Sequence, residues 1–263
     1  MKTEKSPFFL QALNIAGFAI MITINALANI VRFNGRGTGD VSNEYKSLFT
    51  PAGITFSIWG VIYLLLLVFI IYQARDMFGR VKNTLQEHER TGLFFFLSCL
   101  ANSFWIFAWH FEMIELSLLV MVLLLATLIT IYTRLGIGIR SSSTAQKLCL
   151  HLPFSIYLGW ISVATIANAA AVLVKIRWDR FGINDLYWAI AMIIVAAILA
   201  LAVLIRRNDI FYTLVILWAF TGIIIKHLTP FTDVSLNIIM TASVCMVIIA
   251  LGMILRFRKW LKY

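Results

Sequence analysis

Charge is scarce in this chain. Only 13% of its 263 residues are Asp, Glu, Lys or Arg, against about 25% in an average soluble domain. By contrast, 61% are hydrophobic, and the mean hydropathy is +0.90. So few polar side chains cannot cover a water-exposed surface, which excludes a soluble globular enzyme, a disordered tail and a collagen-like chain. Cysteine is equally sparse. Cys99, Cys149 and Cys245 lie inside apolar runs without C-x-x-C spacing, so neither a disulfide framework nor a thiolate metal site is indicated. No G-x-S-x-G, H-E-x-x-H or P-loop pattern occurs. The net charge of +10, in so apolar a chain, reads as loop anchors on the cytoplasmic side of a membrane rather than as a nucleic-acid surface.

What the chain has in abundance is long charge-free runs: 6–31, 47–74, 91–111, 116–133, 148–174, 186–205, 210–225 and 234–255. A spanning helix needs about 20 apolar residues, with a usual range of about 17–25. Seven runs reach that range, and 210–225 is slightly short unless Lys226 snorkels. None alternates in polarity as a β-barrel strand would. The first run carries Ala26-Leu27-Ala28, a cleavage-like sequence, but it far exceeds the 7–15 residues of a signal core, so an uncleaved first helix is expected. Eight spans put both termini on one side. That side collects fifteen basic residues: Lys2, Lys5, Arg75, Arg80, Lys82, Arg90, Arg134, Arg140, Lys147, Arg206, Arg207, Arg256, Arg258, Lys259 and Lys262. The other side has the remaining seven. This bias places both termini in the cytoplasm.

Inside the runs, the polar residues are few and patterned. Asn25 and Asn29 share a helix face; Asn102, Trp105 and Trp109 follow one another by helical turns; Trp160, Ala164 and Asn168 repeat at i, i+4, i+8. An amide in hydrocarbon must find a partner. On periodicity alone, interhelical packing is the simpler reading, and a shared intramembrane cavity is the functional one. His88, His110, His151 and His227 sit near span boundaries as partly solvated residues, and no spacing fixes a second haem ligand for His110 or His151. Glu112 and Glu115 read as a solvated turn. The first connection, 32–53, is rich in Gly, Asn, Ser and Thr. It reads as a folded cap over the mouth of a bundle, with Pro51 opening the second helix within its first turn. The Gly-x-Gly-x-Gly spacing there lacks the strand and the Lys-Ser/Thr of a phosphate loop.

Three segments carry a family resemblance. PAGITFSIWGVIY (51–63), LANSFWIFAWHF (100–111) and LPFSIYLGWISVATIAN (152–168) resemble the second, third and fifth helices of the tryptophan-rich sensory protein and translocator protein (TspO/MBR) family. With the three charge-free runs over 175–263 read as additional transmembrane helices, an all-α polytopic membrane protein is expected, and the resemblance implies a TspO-like five-helix bundle over 1–174. It implies a pocket beneath the first connection, lined by Trp59, Tyr63, Asn102, Trp105, Trp160, Ala164 and Asn168. No metal or resident cofactor is implied; members of the family bind porphyrins, haem-related tetrapyrroles, sterols and synthetic aromatic ligands, so a porphyrin or haem-like ligand is among those the resemblance implies. The chain departs from the family pattern in having only Pro51 where members have several prolines, in its loop glycines, and in its C-terminal length.

The functional expectation is binding, with transport or sensing, of a hydrophobic aromatic ligand such as a tetrapyrrole. The alternatives are a light-dependent porphyrin-degrading enzyme using Trp59 and Trp160, or a carrier unrelated to porphyrins. Catalysis is disfavoured because no general acid or base falls among the pocket residues. Proton coupling is disfavoured because no Asp or Glu falls in any run. The expected partners are the lipid bilayer and the ligand, with a homodimer as a candidate assembly and no nucleic acid. The expected location is a bacterial cytoplasmic membrane.

The charge bias makes a direct prediction. Reporter fusions after Tyr263 and within 34–44 should report opposite sides of the membrane; the same side for both would overturn the eight-span topology.

Overall fold

The computed structural model describes residues 7–45, 47–78, 90–228 and 232–260. Among the described residues there is no strand. The chain forms α1 (Pro7–Leu27), a short connecting helix α2 (Thr38–Glu44), α3 (Ile58–Phe78), α4 (Phe94–His110), α5 (Ile114–Leu135), α6 (Leu152–Lys175), α7 (Asp185–Arg207), α8 (Ile210–His227) and α9 (Asp233–Trp260). Seven helical segments are long and apolar enough to cross a bilayer, and α4 is a shorter apolar helix of 17 residues. Large apolar side chains such as Leu64, Leu119, Ile198 and Leu251 face outward, as a lipid solvent permits. The chain is an all-α polytopic membrane protein.

Two boundaries differ from the sequence expectation. The short span is α4 rather than α8, because Gly92 takes φ +50° and the third run becomes a continuous helix only at Phe94. Meanwhile α8 extends through Lys226 and His227 to 18 residues. Pro51 does not start a helix. It lies ahead of a 3₁₀ turn at Gly53–Ser57, and α3 begins at Ile58.

Helix α1 packs on α3 and α4, α4 on α5, α5 on α6, and α6 closes back onto α3. Phe69, Phe95 and Phe154 from α3, α4 and α6 meet edge to face, with centroids 4.8–6.0 Å apart, and fill the half of this ring remote from the 32–53 connection. The last three helices pack on one another, and α8 lies along α6. Gly159 permits that approach, since a Cβ there would stand 3.0 Å from Val215 Cβ and 3.1 Å from the Tyr212 carbonyl oxygen.

A buried carboxylate ties the two groups of helices together. Asp209 caps α8, with Oδ1 accepting from the backbone N–H groups of Phe211 (3.0 Å) and Tyr212 (3.1 Å). Its Oδ2 accepts from Tyr132 Oη on α5 (2.8 Å) and Ser155 Oγ on α6 (2.6 Å). Asp209 is only 4% exposed, so the charge is held by four donors rather than by water. Asp209→Ala should cost about 3 kcal/mol or more, the sum of a lost cap and stranded hydroxyls. Asp209→Asn, which keeps an acceptor for the cap, should cost less. Equilibrium unfolding in mixed micelles measures both, and equal stability of Asp209→Ala and wild type would contradict this account.

Candidate functional site

The half of the ring beneath the 32–53 connection is built around amides. On α1, Asn25 donates from Nδ2 to the Met21 carbonyl (2.9 Å) and to Asn102 Oδ1 on α4 (2.7 Å). Its Oδ1 accepts from Tyr63 Oη on α3 (2.6 Å). Asn102 Nδ2 in turn donates to Tyr157 Oη on α6 (3.0 Å). Four helices are thus joined by one closed set of hydrogen bonds in a setting where an unmet polar group costs several kcal/mol, of order 1–3 by mutation. A second amide, Asn168 on α6, accepts from Trp105 Nε1 (3.0 Å) and donates to Ser117 Oγ on α5 (2.9 Å).

These bonds hold a file of aromatic rings. Tyr63, Trp59, Trp105 and Trp109 stack in succession, with centroids 5.6, 5.8 and 5.7 Å apart. Trp160 meets Trp59 edge-on at 6.3 Å, and Phe56 meets Trp160 edge-on at 5.7 Å. Within this otherwise bonded cluster, the indole N–H groups of Trp59 and Trp160 are buried and have no partner.

Two cavities flank the file. The aromatic cleft is lined by Trp59, Trp105, Trp109, Trp160, Ala164 and Asn168, among others, and is roofed by Thr50, Pro51 and Phe56. Its open space is about 30 Å³, close to the room for one water. The second cavity is polar and larger, about 290 Å³, and lies between α1, the cap and α3. Phe56 and Trp59 line both. No Asp, Glu, Lys, Arg or His lines either one.

The cap over the cleft is folded. Trp109 Nε1 donates to the Thr38 carbonyl (3.1 Å), and Asn34 Nδ2 donates to the His110 carbonyl (3.3 Å). His110 itself is buried, with Nδ1 2.8 Å from the Ile106 carbonyl and Nε2 3.5 Å from Thr38 Oγ1. The acidic turn is not simply solvated. Arg36 of the cap pairs with Glu112 (2.8 Å) and with Glu44, and Lys175 pairs with Glu115 (2.7 Å). Tyr45 of the cap packs on Trp109 at 6.3 Å, and burial, with Glu112 and Glu44 nearby, pushes its phenol above the usual range.

The roof is fastened from outside the ring by α8. Gly222 O accepts from Ala52 N (3.0 Å), and Trp218 Nε1 donates to the Thr55 carbonyl (3.0 Å). Lys226 Nζ donates to the Ser47 carbonyl (3.2 Å), and His227 Nε2 lies 2.9 Å from the Leu48 carbonyl. A Cβ on Gly222 would fall 1.9 Å from Thr55 Oγ1, so only glycine allows this contact.

Of the residues singled out from the sequence, Trp59, Trp105, Trp160, Ala164 and Asn168 line the aromatic cleft. Tyr63 lines the polar cavity instead. Asn102 lines neither and bonds behind the rings. Sequence reasoning missed Phe56 and the roof contacts of α8, and it marked Trp109 by helical spacing from Trp105 without assigning it to the pocket; nothing in the sequence pairs Gly222 with Thr55.

The TSPO-like protein family model matches residues 11–255. No curated protein and no solved structure matches the chain. The match runs through all eight spans, including the three beyond the motif-bearing ones, and the chain belongs to the TSPO-like protein family.

Proposed function

We propose that the aromatic cleft binds a flat hydrophobic ligand of the tetrapyrrole class, as a membrane binding protein on which transport or sensing is built. The observation that carries this reading is the buried, unpartnered indole N–H of Trp160, which lines this cleft and not the polar cavity, set in a cluster whose other polar atoms are largely bonded. Indole is a donor only, so this group calls for an acceptor that the protein does not provide. Stacked indole faces favour a planar partner. The 30 Å³ of open space means that a planar ligand seats by displacing Phe56 and the roof, which supports a cleft gated by residues 50–56. The lining offers indole, hydroxyl, amide and apolar groups but no general acid or base, which favours binding over catalysis. In this reading, 1–174 holds the cleft and 175–263 braces its roof through α8. With both termini cytoplasmic, the cleft lies toward the outer side.

Stacking on an aromatic face is worth about 1–3 kcal/mol by alanine substitution of base-binding residues, or roughly 5- to 150-fold in affinity. Trp160→Ala should therefore weaken protoporphyrin binding within that range. Ala164→Phe should weaken it by filling the cleft. Trp188→Ala, whose indole bonds the Arg180 carbonyl far from the cleft, should leave it unchanged. Titrations of purified, monodisperse protein in the dark check this. Equal affinity of wild type, Trp160→Ala and Ala164→Phe would remove α6 from the site.

A further inference from the structure

The polar cavity beside the cleft has a chemistry of its own. It is bounded by Asn25 and Asn29 of α1, by Gly37, Thr38 and Gly39 of the cap, and by Gly53, Ser57, Trp59 and Tyr63. At about 290 Å³ it sits at the lower edge of the roughly 300–1,000 Å³ range of small-molecule pockets. That suits one or two fused rings rather than a tetrapyrrole. The hydrogen-bonding capacity of its walls is unevenly used. Asn25 has no donor to spare, since both its N–H groups have protein acceptors, and its oxygen already accepts from Tyr63. Asn29 uses one N–H, to the Asn25 carbonyl at 2.8 Å. Trp59 is 91% buried, being 9% exposed, and its N–H has no partner. The groups that remain to meet a ligand are the Trp59 indole N–H, a donor only, the second N–H and the oxygen of the Asn29 amide, and the Ser57 hydroxyl.

Charge limits the ligand further. No ionisable Lys, Arg, Asp, Glu or His lines the cavity. The nearest carboxylate, Asp40, has Oδ2 2.9 Å from the backbone N–H of the lining Gly37 and would repel an anion. An ionised ligand would leave water without a counter-charge, at a cost of several kcal/mol or more. A neutral carbonyl meets the donors without that cost.

The approach to the cavity is greasy. Asn29 and Gly53 of the lining are exposed, and their neighbours Ile30, Val31 and Ile54 are 80%, 64% and 63% exposed. In a bilayer these side chains meet acyl chains, so the opening between α1 and α3 admits molecules already dissolved in lipid.

We propose that this cavity is a second binding site, distinct from the aromatic cleft, for an uncharged one- or two-ring molecule bearing carbonyl acceptors and drawn from the bilayer. Naphthoquinones have this chemistry. The Trp59 N–H, the Asn29 amide and the Ser57 hydroxyl bind the carbonyl, while the Trp59 and Phe56 rings hold the flat face.

Calorimetric titration of the full chain in nanodiscs, with empty discs as blank, tests this using menadione (2-methyl-1,4-naphthoquinone) and 2-naphthoate, an anion of similar size. Menadione should bind saturably, and 2-naphthoate at least tenfold more weakly. Asn29→Leu should weaken menadione about fivefold or more. Gly53→Phe should abolish saturable binding by filling the cavity. A Cβ at Gly53 meets nothing within 4 Å, so this variant has room to fold. Ala164→Phe, which obstructs only the aromatic cleft, should leave menadione within twofold of wild type. Equal binding of the two probes, or menadione binding untouched by Gly53→Phe, would overturn the proposal. So would loss of menadione in Ala164→Phe but not in Gly53→Phe, because that outcome assigns the quinone to the cleft. The tetrapyrrole reading is judged separately, by the effect of Ala164→Phe on protoporphyrin.

Discussion

Hydrocarbon offers polar groups no solvent, and the interior of this bundle is organised by that constraint. Interhelical packing in lipid lacks the hydrophobic driving force available in water, so position is specified by close contact and by hydrogen bonds. Asn25, Tyr63, Asn102 and Tyr157 form the principal set, one from each of α1, α3, α4 and α6. Removing any member strands its neighbours in a low-dielectric interior. The indole file depends on this set directly. Tyr63 is both its first ring and a donor to Asn25, and Trp105, its third ring, is fixed by Asn168.

The same constraint explains why α8 matters to a cleft it does not line. The 47–55 segment crosses the mouth of the bundle without regular helix, so its backbone groups need partners from elsewhere. Helix α8 provides them at Gly222, Trp218, Lys226 and His227. Two anchors at different depths hold α8 itself: the close contact of Gly222 with Thr55 near the roof, and Asp209 bonded to α5 and α6 at the opposite end. The C-terminal helices are therefore mechanically coupled to the roof, consistent with a family match that runs through 11–255 rather than stopping after the fifth span. A movement of residues 50–56 would be felt along α8.

Much of the architecture was legible from residues alone, because lipid imposes a length and a composition on each span. Spacing also put Trp160, Ala164 and Asn168 on one face, and they do share a cavity wall. What was not legible depends on tertiary partners. Asp209 reads as an ordinary turn residue after Arg206 and Arg207, and only the arrival of Tyr132 and Ser155 makes it a buried joint. Asn102 and Trp105 read alike as pocket residues one turn apart, yet one bonds behind the rings and the other faces the cleft. Pro51 carries the signature of a helix start. Its neighbour Ala52 instead donates to Gly222, an alternative that a local rule cannot foresee.

Among the described residues, the buried side-chain polar atoms without partners are the Thr55 hydroxyl of the roof and two pairs that differ in chemistry. Toward the end of the bundle remote from the cap, Asn14 Oδ1 and Gln73 Nε2 are both unpartnered, while Asn14 Nδ2 already donates to Gln73 Oε1 at 3.2 Å. One orphan is an acceptor and the other a donor, on two amides already in contact. A small rotation closes the second bond of a cyclic amide pair, so this layer satisfies itself. Trp59 and Trp160 cannot do so. Their rings meet edge-on, but each brings a donor and neither an acceptor. Asn168 Oδ1 already accepts from Trp105 and from Ser117, and Asn25 Oδ1 accepts from Tyr63. The amide pair can close within the fold, whereas neither indole can serve the other, and an acceptor for each has to come from outside the pair.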